Sequence, residues 1–340
     1  MAKIAINGLG RIGRVALKAL AENSSLELVA VNDLIPPYQL AYLLNFDSIY
    51  GKMRNKVRFD EQHLYVNDRQ IPVLNVREPE HLPWKGLEVD VVLECTGMFT
   101  SRHDLEKHLQ AGAQCVILAA PSRTNDIPVV IPGVNTERDE TINSRIISTG
   151  SCSANAISPL VEIMGRRIGI RKAITTTIQS YTAGQYVMDS ENSDLRKGRS
   201  VTENFIPSAT DAGKVVAKAL PQFTDKINSM TIQGPVPAGC LVEITFLTER
   251  HTSVEEVNNI FCEEAGSNRY MGIVGINTEP IVSSDIAMDP RASVVDITMT
   301  QVVDGDLVRV MAWYDNEWGF INQVIREAER VAKKEMIALV

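Results

Sequence analysis

The chain has no apolar run of membrane-spanning length, no CxxC pair, no low-complexity segment and no surplus of basic residues. Each absence excludes something. A membrane-spanning helix needs about 20 consecutive apolar residues, so no membrane partner is expected. The opening Met1-Ala2-Lys3-Ile4-Ala5-Ile6 reads as a strand entering a glycine loop rather than as a signal peptide. Five cysteines, at 95, 115, 152, 240 and 262, are an odd count at irregular spacing. That usage fits reduced thiols in a cytoplasm, and without paired cysteines no metal site is expected. A net charge of −8 argues against nucleic acid as a partner, because phosphate contacts need clustered Lys and Arg.

What is present is ordinary for a soluble globular protein: 44% hydrophobic and 22% charged residues in 340. That length predicts two domains, each with its own core. Lys3–Asn7 is a short apolar strand, followed by Gly8-Leu9-Gly10-Arg11-Ile12-Gly13, a helical pattern and a second strand, Leu26–Asn32, ending at Asp33. Val89–Leu93 and Cys115–Leu118 are further buried-strand candidates, with helical stretches such as Ser101–Ala111 between them. Strands alternating with helices predict an α/β domain with a Rossmann-type doubly wound parallel sheet.

After residue 151 the pattern changes. Long β-branched runs at Ala173–Ser180, Ser229–Gln233, Leu241–Leu247, Ser293–Val303 and Val308–Tyr314 predict strands, the last two joined by a hairpin at Asp304-Gly305. Helices are expected at Ala156–Gly165, Asp211–Leu220 and Ser253–Ala265. This half reads as an α+β second domain with a mostly antiparallel sheet, and Asn316 to about Lys334 as one amphipathic helix.

The glycines have separate tasks. Gly8 makes a tight turn, Gly10 lets backbone approach a pyrophosphate, and Gly13 lets helix and strand pack closely. The helix N-terminus offers free N–H groups and a positive dipole end to phosphate. Asp33 lies 20 residues after Gly13, where a carboxylate can take both ribose hydroxyls and repel a 2′-phosphate. The expected cofactor is therefore NAD.

Further motifs run in order along essentially the whole chain. They are Asn7–Arg14, Glu94-Cys95-Thr96-Gly97 with Phe99, Gly133-Val134-Asn135, Ser151-Cys152-Ser153-Ala154-Asn155, Pro235-Val236-Pro237 and Trp313–Phe320. Together they resemble the glyceraldehyde-3-phosphate dehydrogenase family, in its glyceraldehyde-3-phosphate and erythrose-4-phosphate branches. The resemblance implies an NAD-binding domain over 1–151, completed by a C-terminal helix over 316–340, and a catalytic domain over 152–315. It implies that Arg11, Ile12, Thr96, Gly97, Phe99 and Phe320 line the cofactor groove and that Asn316 holds the nicotinamide carboxamide. It implies a homotetramer, with the loop from Gln179 to Ile206 reaching a neighbouring subunit, and a small aldehyde substrate.

It also implies the chemistry. A Cys attacks the aldehyde to give a thiohemiacetal, a hydride leaves for NAD, and an acceptor releases the thioester. Cys152 is the nucleophile in this reading. Placed at the start of the Ala154–Gly165 helix, its thiol is expected to have a lowered pKa and its N–H to face an oxyanion. The family's activating His is replaced by Gln179, which can donate a hydrogen bond but cannot titrate. The family's phosphate-binding Arg is replaced by Gln233, and its Thr-Gly pair by Thr210-Asp211. Thr182 and the basic trio Arg196, Lys197 and Arg199 remain, and Ser151 and Ser153 flank the nucleophile.

The changes fall on the substrate side, while the cofactor side is intact. Three readings follow. One is an NAD-dependent aldehyde oxidoreductase with a non-standard substrate, with Asp211 as a replacement base or a binder of a cationic group. Another is a catalytically weak NAD-binding sensor or scaffold. The third is an ordinary glyceraldehyde-3-phosphate or erythrose-4-phosphate dehydrogenase.

Overall fold

The structure, a computed structural model, describes residues 1–138 and 143–338, with side chains as far as Lys333. Residues 139–142 of the expected first domain and 339–340 of the expected tail helix lie outside the described residues. The chain divides into two compact units: Met1–Val130 with Glu137–Gly150 and Val324–Val340, and Ile131–Thr136 with Ser151–Gln323.

The first unit is built on an eight-stranded sheet. Leu26–Asn32, Ala2–Asn7, Val91–Glu94, Cys115–Leu118 and Ile146–Ser148 run parallel in that order, and Arg69–Leu74 joins Leu26–Asn32 in parallel. Arg58–Phe59 and His63–Val66 extend this edge as an antiparallel meander. Val91–Glu94 and Cys115–Leu118 are buried along their length and Ala2–Asn7 at all but Lys3, as expected when helices cover both faces of a parallel sheet. Strand order reverses at Ala2–Asn7, whose two neighbours are Leu26–Asn32 and Val91–Glu94. The loops leaving Asn7 and Glu94 therefore open the crevice where such sheets bind ligands. The helix Arg11–Ala21 buries Val15, Ala16, Leu17 and Leu20. Arg102–Gln110 starts with a capping box in which Ser101 and Asp104 satisfy each other's backbone N–H groups.

The second unit also carries an eight-stranded sheet, mixed in direction. Its order is Ile206–Ala209, Ile227–Gly234, Ile170–Ser180, Cys240–Thr248, Leu307–Tyr314, Ser293–Asp296, Val274–Asn277, with Gln301–Val303 paired to Leu307–Tyr314. Ile227–Gly234 lies parallel to Ile170–Ser180, and Val274–Asn277 parallel to Ser293–Asp296; the remaining pairs are antiparallel. The helix Cys152–Arg167 is buried over almost its whole length.

Two expectations need correcting. Ser293–Val303 is not one strand, because the Asp296 carboxylate bonds the N–H and hydroxyl of Thr298. This Asx turn ends the strand, and pairing resumes only at Gln301. The helix expected from Ala154 or Ala156 begins at Cys152, because the Ser151 hydroxyl caps it by accepting from the Ala154 N–H at 3.2 Å. The Asp304-Gly305 hairpin forms with φ of +49° and +75°, the left-handed values this turn requires.

Candidate active site

The cofactor-side residues expected in the first unit surround the loop after Ala2–Asn7. Gly8 has φ of +91°, and a Cβ there would lie 2.7 Å from the Thr96 side chain. A Cβ on Gly13 would stand 1.8 Å from the Gly8 carbonyl oxygen. Gly10 is different: its Cβ would meet nothing within 4 Å. It is the N-cap of the helix Arg11–Ala21 and, as glycine, supplies no side-chain cap of its own. The helix thus starts beside open space at Gly10, where a pyrophosphate can approach the backbone. Asp33, expected to take the ribose hydroxyls, has a structural task as well: its Oδ2 accepts from Leu9 N–H at 2.5 Å and its Oδ1 from Ile35 N–H at 2.9 Å. The carboxylate latches the glycine loop to the end of the second strand.

Thr96 is held in turn by Glu94, which accepts from its N–H at 2.8 Å and from its hydroxyl, and Gly97 follows with φ of +68°. Phe99 is half-buried. Arg11 pairs with Asp47 at 3.0 Å and lies over the Tyr50 ring. The set fits a dinucleotide. Gly10→Ala should therefore leave the melting temperature within about 2 °C, since the added methyl clashes with no protein atom. In calorimetry it should weaken NAD at least about tenfold by filling the cradle. Gly13→Ala should instead destabilise the fold by about 1–3 kcal/mol through the clash with Gly8, read as a lowered denaturation midpoint.

In the second unit the site is assembled by strand register. Gln233 lies beside Gln179, and Cys240 beside Tyr314. One step on from the Leu241–Ile178 pair, Cys240 comes beside Gln179. Residues opposite one another on neighbouring strands share a face, so Gln233, Gln179, Cys240 and Tyr314 form one transverse row. Above it sits Cys152, at the first position of its helix. The Gln179 amide nitrogen lies 2.6 Å from Ser153 Oγ, 3.1 Å from the Tyr314 hydroxyl and 3.9 Å from Cys152 Sγ. Gln233, at the end of the row, accepts from the Ser208 hydroxyl at 3.1 Å. No member of this row carries a formal positive charge.

The expected lowering of the Cys152 pKa is overturned. Burial pushes the thiol up to about 11, although the Ser153 hydroxyl and N–H and its own N–H pull in the opposite direction, and Asp315 adds to the rise. The residue is half-buried, and this loss of water around a thiolate outweighs the partial charge of the helix start. Burial likewise holds the Cys240 thiol at about 12 and the Tyr314 phenol well above its ordinary value.

Other expected substrate residues have local partners. The exposed Asp211 pairs with Lys214 at 2.9 Å, and the Thr210 hydroxyl accepts from Ala212 N–H at 3.2 Å. Arg199 pairs with Asp189 at 3.0 Å and Lys197 with Asp194 at 3.7 Å. The Thr182 N–H donates to Gln185 at 2.8 Å. The Asn316 amide oxygen accepts from the Ser180 hydroxyl at 2.8 Å, and Phe320 is buried at the start of the last helix. Tyr314, Cys240 and Ser180 were not singled out from sequence. The available signal was alternation: Cys240 and Tyr314 occupy inward positions of their strands, but their pairing depends on a register that sequence does not reveal.

The family model described as "Glyceraldehyde 3-phosphate dehydrogenase, NAD binding domain" matches residues 2–102, and "Glyceraldehyde 3-phosphate dehydrogenase, C-terminal domain" matches residues 151–316. The chain is 43% identical over 335 residues to a glyceraldehyde-3-phosphate dehydrogenase of Thermotoga maritima, covering 98% of this chain and 100% of that protein. It is 39% identical over 332 residues to one of Priestia megaterium, covering 98% of each. One of Zymomonas mobilis is 39% identical over 333 residues, covering 97% of this chain and 98% of that protein. These matches place the chain among the NAD-dependent dehydrogenases. The chain belongs to the glyceraldehyde-3-phosphate dehydrogenase family and carries that family's NAD-binding domain.

Proposed function

We propose that this chain is an NAD-dependent aldehyde oxidoreductase acting through Cys152 on an aldehyde other than glyceraldehyde 3-phosphate. The observation that carries the proposal is the uncharged row of Gln233, Gln179, Cys240 and Tyr314, of which Gln179 reaches the Cys152 sulfur. A phosphate-bearing substrate calls for a cationic donor, and amides offer only neutral hydrogen bonds. The Cys152 S–H adds across the aldehyde C=O, forming the C–S bond and placing the thiol proton on oxygen. The Gln179 amide and the Cys152 N–H donate to that oxygen. NAD, when bound, supplies the hydride acceptor. As the hydride leaves carbon, the hydroxyl proton passes to solvent or to a basic group of the substrate, because Gln179 cannot take it. The resulting thioester is released by water or another acyl acceptor.

Single-turnover NADH formation across a panel of aldehydes tests this. A Cys152-dependent burst with an aldehyde that carries no phosphate is the expected result. Glyceraldehyde 3-phosphate, the substrate in the names of the relatives above, turning over fast and with phosphate as acceptor would overturn it. The raised Cys152 thiol favours a second reading, an NAD-binding sensor or scaffold with weak activity. That reading takes over if NAD binds, no aldehyde gives a burst and Gln179→His restores one. Assembly as a homotetramer belongs to the same family reading, and sedimentation measures it.

A further inference from the structure

Asn316 lies where the strand Leu307–Tyr314 ends and the helix Trp318–Ala338 begins. Its backbone is held by the preceding residue. Asp315 accepts from the N–H groups of Glu317 at 2.8 Å and Trp318 at 2.7 Å with one carboxylate oxygen, and from Met288 N–H at 2.8 Å with the other. Its side chain is held from the strand Ile170–Ser180, where the Ser180 hydroxyl lies 2.8 Å from Asn316 Oδ1. Ser180 is itself tied to Cys240: its N–H lies 3.4 Å and its hydroxyl 3.5 Å from the sulfur. All three residues are buried.

The proton inventory gives this chain one direction. A serine hydroxyl has one proton, and Asn316 Oδ1 is an acceptor, so that proton goes to Asn316. The Cys240 S–H then donates to Ser180 Oγ, while the Ser180 N–H donates to the sulfur. Cys240, Ser180 and Asn316 are linked donor to acceptor, and the last member receives the serine proton on its amide oxygen, which leaves its NH₂ to donate elsewhere. The two amide orientations of an asparagine have nearly the same shape but opposite hydrogen-bonding character. Only one donates to a carboxamide oxygen.

We propose that Ser180, backed by Cys240, is a positioning residue for NAD. Its hydroxyl locks the Asn316 amide in the orientation that donates to the oxygen of the nicotinamide carboxamide. The proposal rests on the reading that Asn316 holds that carboxamide. Loss of the Ser180 hydroxyl leaves both amide orientations populated and a buried amide oxygen unsatisfied. The effect is confined to ligands that carry the nicotinamide.

The experiment is calorimetric titration of NAD and of ADP-ribose, which lacks the nicotinamide, into the native chain, Ser180→Ala, Asn316→Ala, the double variant and Cys240→Ser. Ser180→Ala should weaken NAD about tenfold and leave ADP-ribose within about twofold. Asn316→Ala should weaken NAD at least as much, with no further loss in the double variant. Cys240→Ser should keep NAD affinity within about twofold, because a hydroxyl also donates to Ser180 Oγ. If Asn316→Ala leaves the NAD to ADP-ribose ratio unchanged, the Asn316 reading fails. If Asn316→Ala changes that ratio and Ser180→Ala does not, the Ser180 proposal alone fails. Equal loss of both ligands in Ser180→Ala, with a lowered melting temperature, marks a packing role and also overturns it.

Discussion

Gln179→His should make Cys152 about a hundredfold more reactive toward iodoacetamide at pH 7. A thiol held at about 11 is roughly 10⁻⁴ thiolate at that pH. The Gln179 amide nitrogen is 3.9 Å from the sulfur, and an imidazolium in that place would favour the charged form. If the pair brings the thiol to near 7, the thiolate fraction rises by about 5 × 10³. Nucleophilicity falls with pKa, with a coefficient of about 0.4–0.5, which removes a factor of about 60. The hydride step gains separately, because the imidazole also takes the hydroxyl proton, a contribution of about 10²–10⁴. Stopped-flow NADH formation reads the second effect and alkylation the first. Unchanged labelling, with an unchanged melting temperature, would show that the His does not face the sulfur and that register alone does not define this site.

Labelling of Cys152 in the native chain should rise about tenfold per pH unit from pH 7 to pH 9, without a plateau. The sign follows from the cause. Burial disfavours the thiolate, so the protonated form dominates below about 11 and the reactive fraction climbs throughout the accessible range. Cys152→Ser should abolish the labelling that depends on this profile, leaving Cys262, the exposed cysteine, to react with its own pH dependence. Peptide mapping of the alkylated protein at several pH values separates the two. A plateau near pH 6–7 at Cys152 would mean that the helix start and Ser153 outweigh burial, and the sensor reading would lose its support.

Local backbone demands were legible in the order of residues. Gly8 and Gly13 are glycines because one takes a left-handed φ against Thr96 and the other lies against the Gly8 carbonyl. Asp304-Gly305 had to turn because both take positive φ. Alternating apolar runs placed most strands, since burial of one face or both writes itself into composition every two residues. Ser293–Val303 shows where that signal stops. Its β-branched residues pointed to one strand, and a single carboxylate, Asp296, diverted the backbone into a turn by offering Thr298 a nearer partner.

The sequence by itself determined that a dinucleotide cradle and a helix-borne cysteine exist, because both are local devices encoded in consecutive residues. Only the tertiary structure decided what surrounds the cysteine. Gln179, Gln233, Cys240 and Tyr314 are separated by up to 135 residues and meet because four strands settle into one register. That register is chosen by which faces of all the strands are buried together. The state of Cys152 was decided in the same way. Its place at a helix start argued for a thiolate, but packing leaves the residue half-buried with less water around the sulfur, and desolvation is a property of the assembled fold rather than of any short segment.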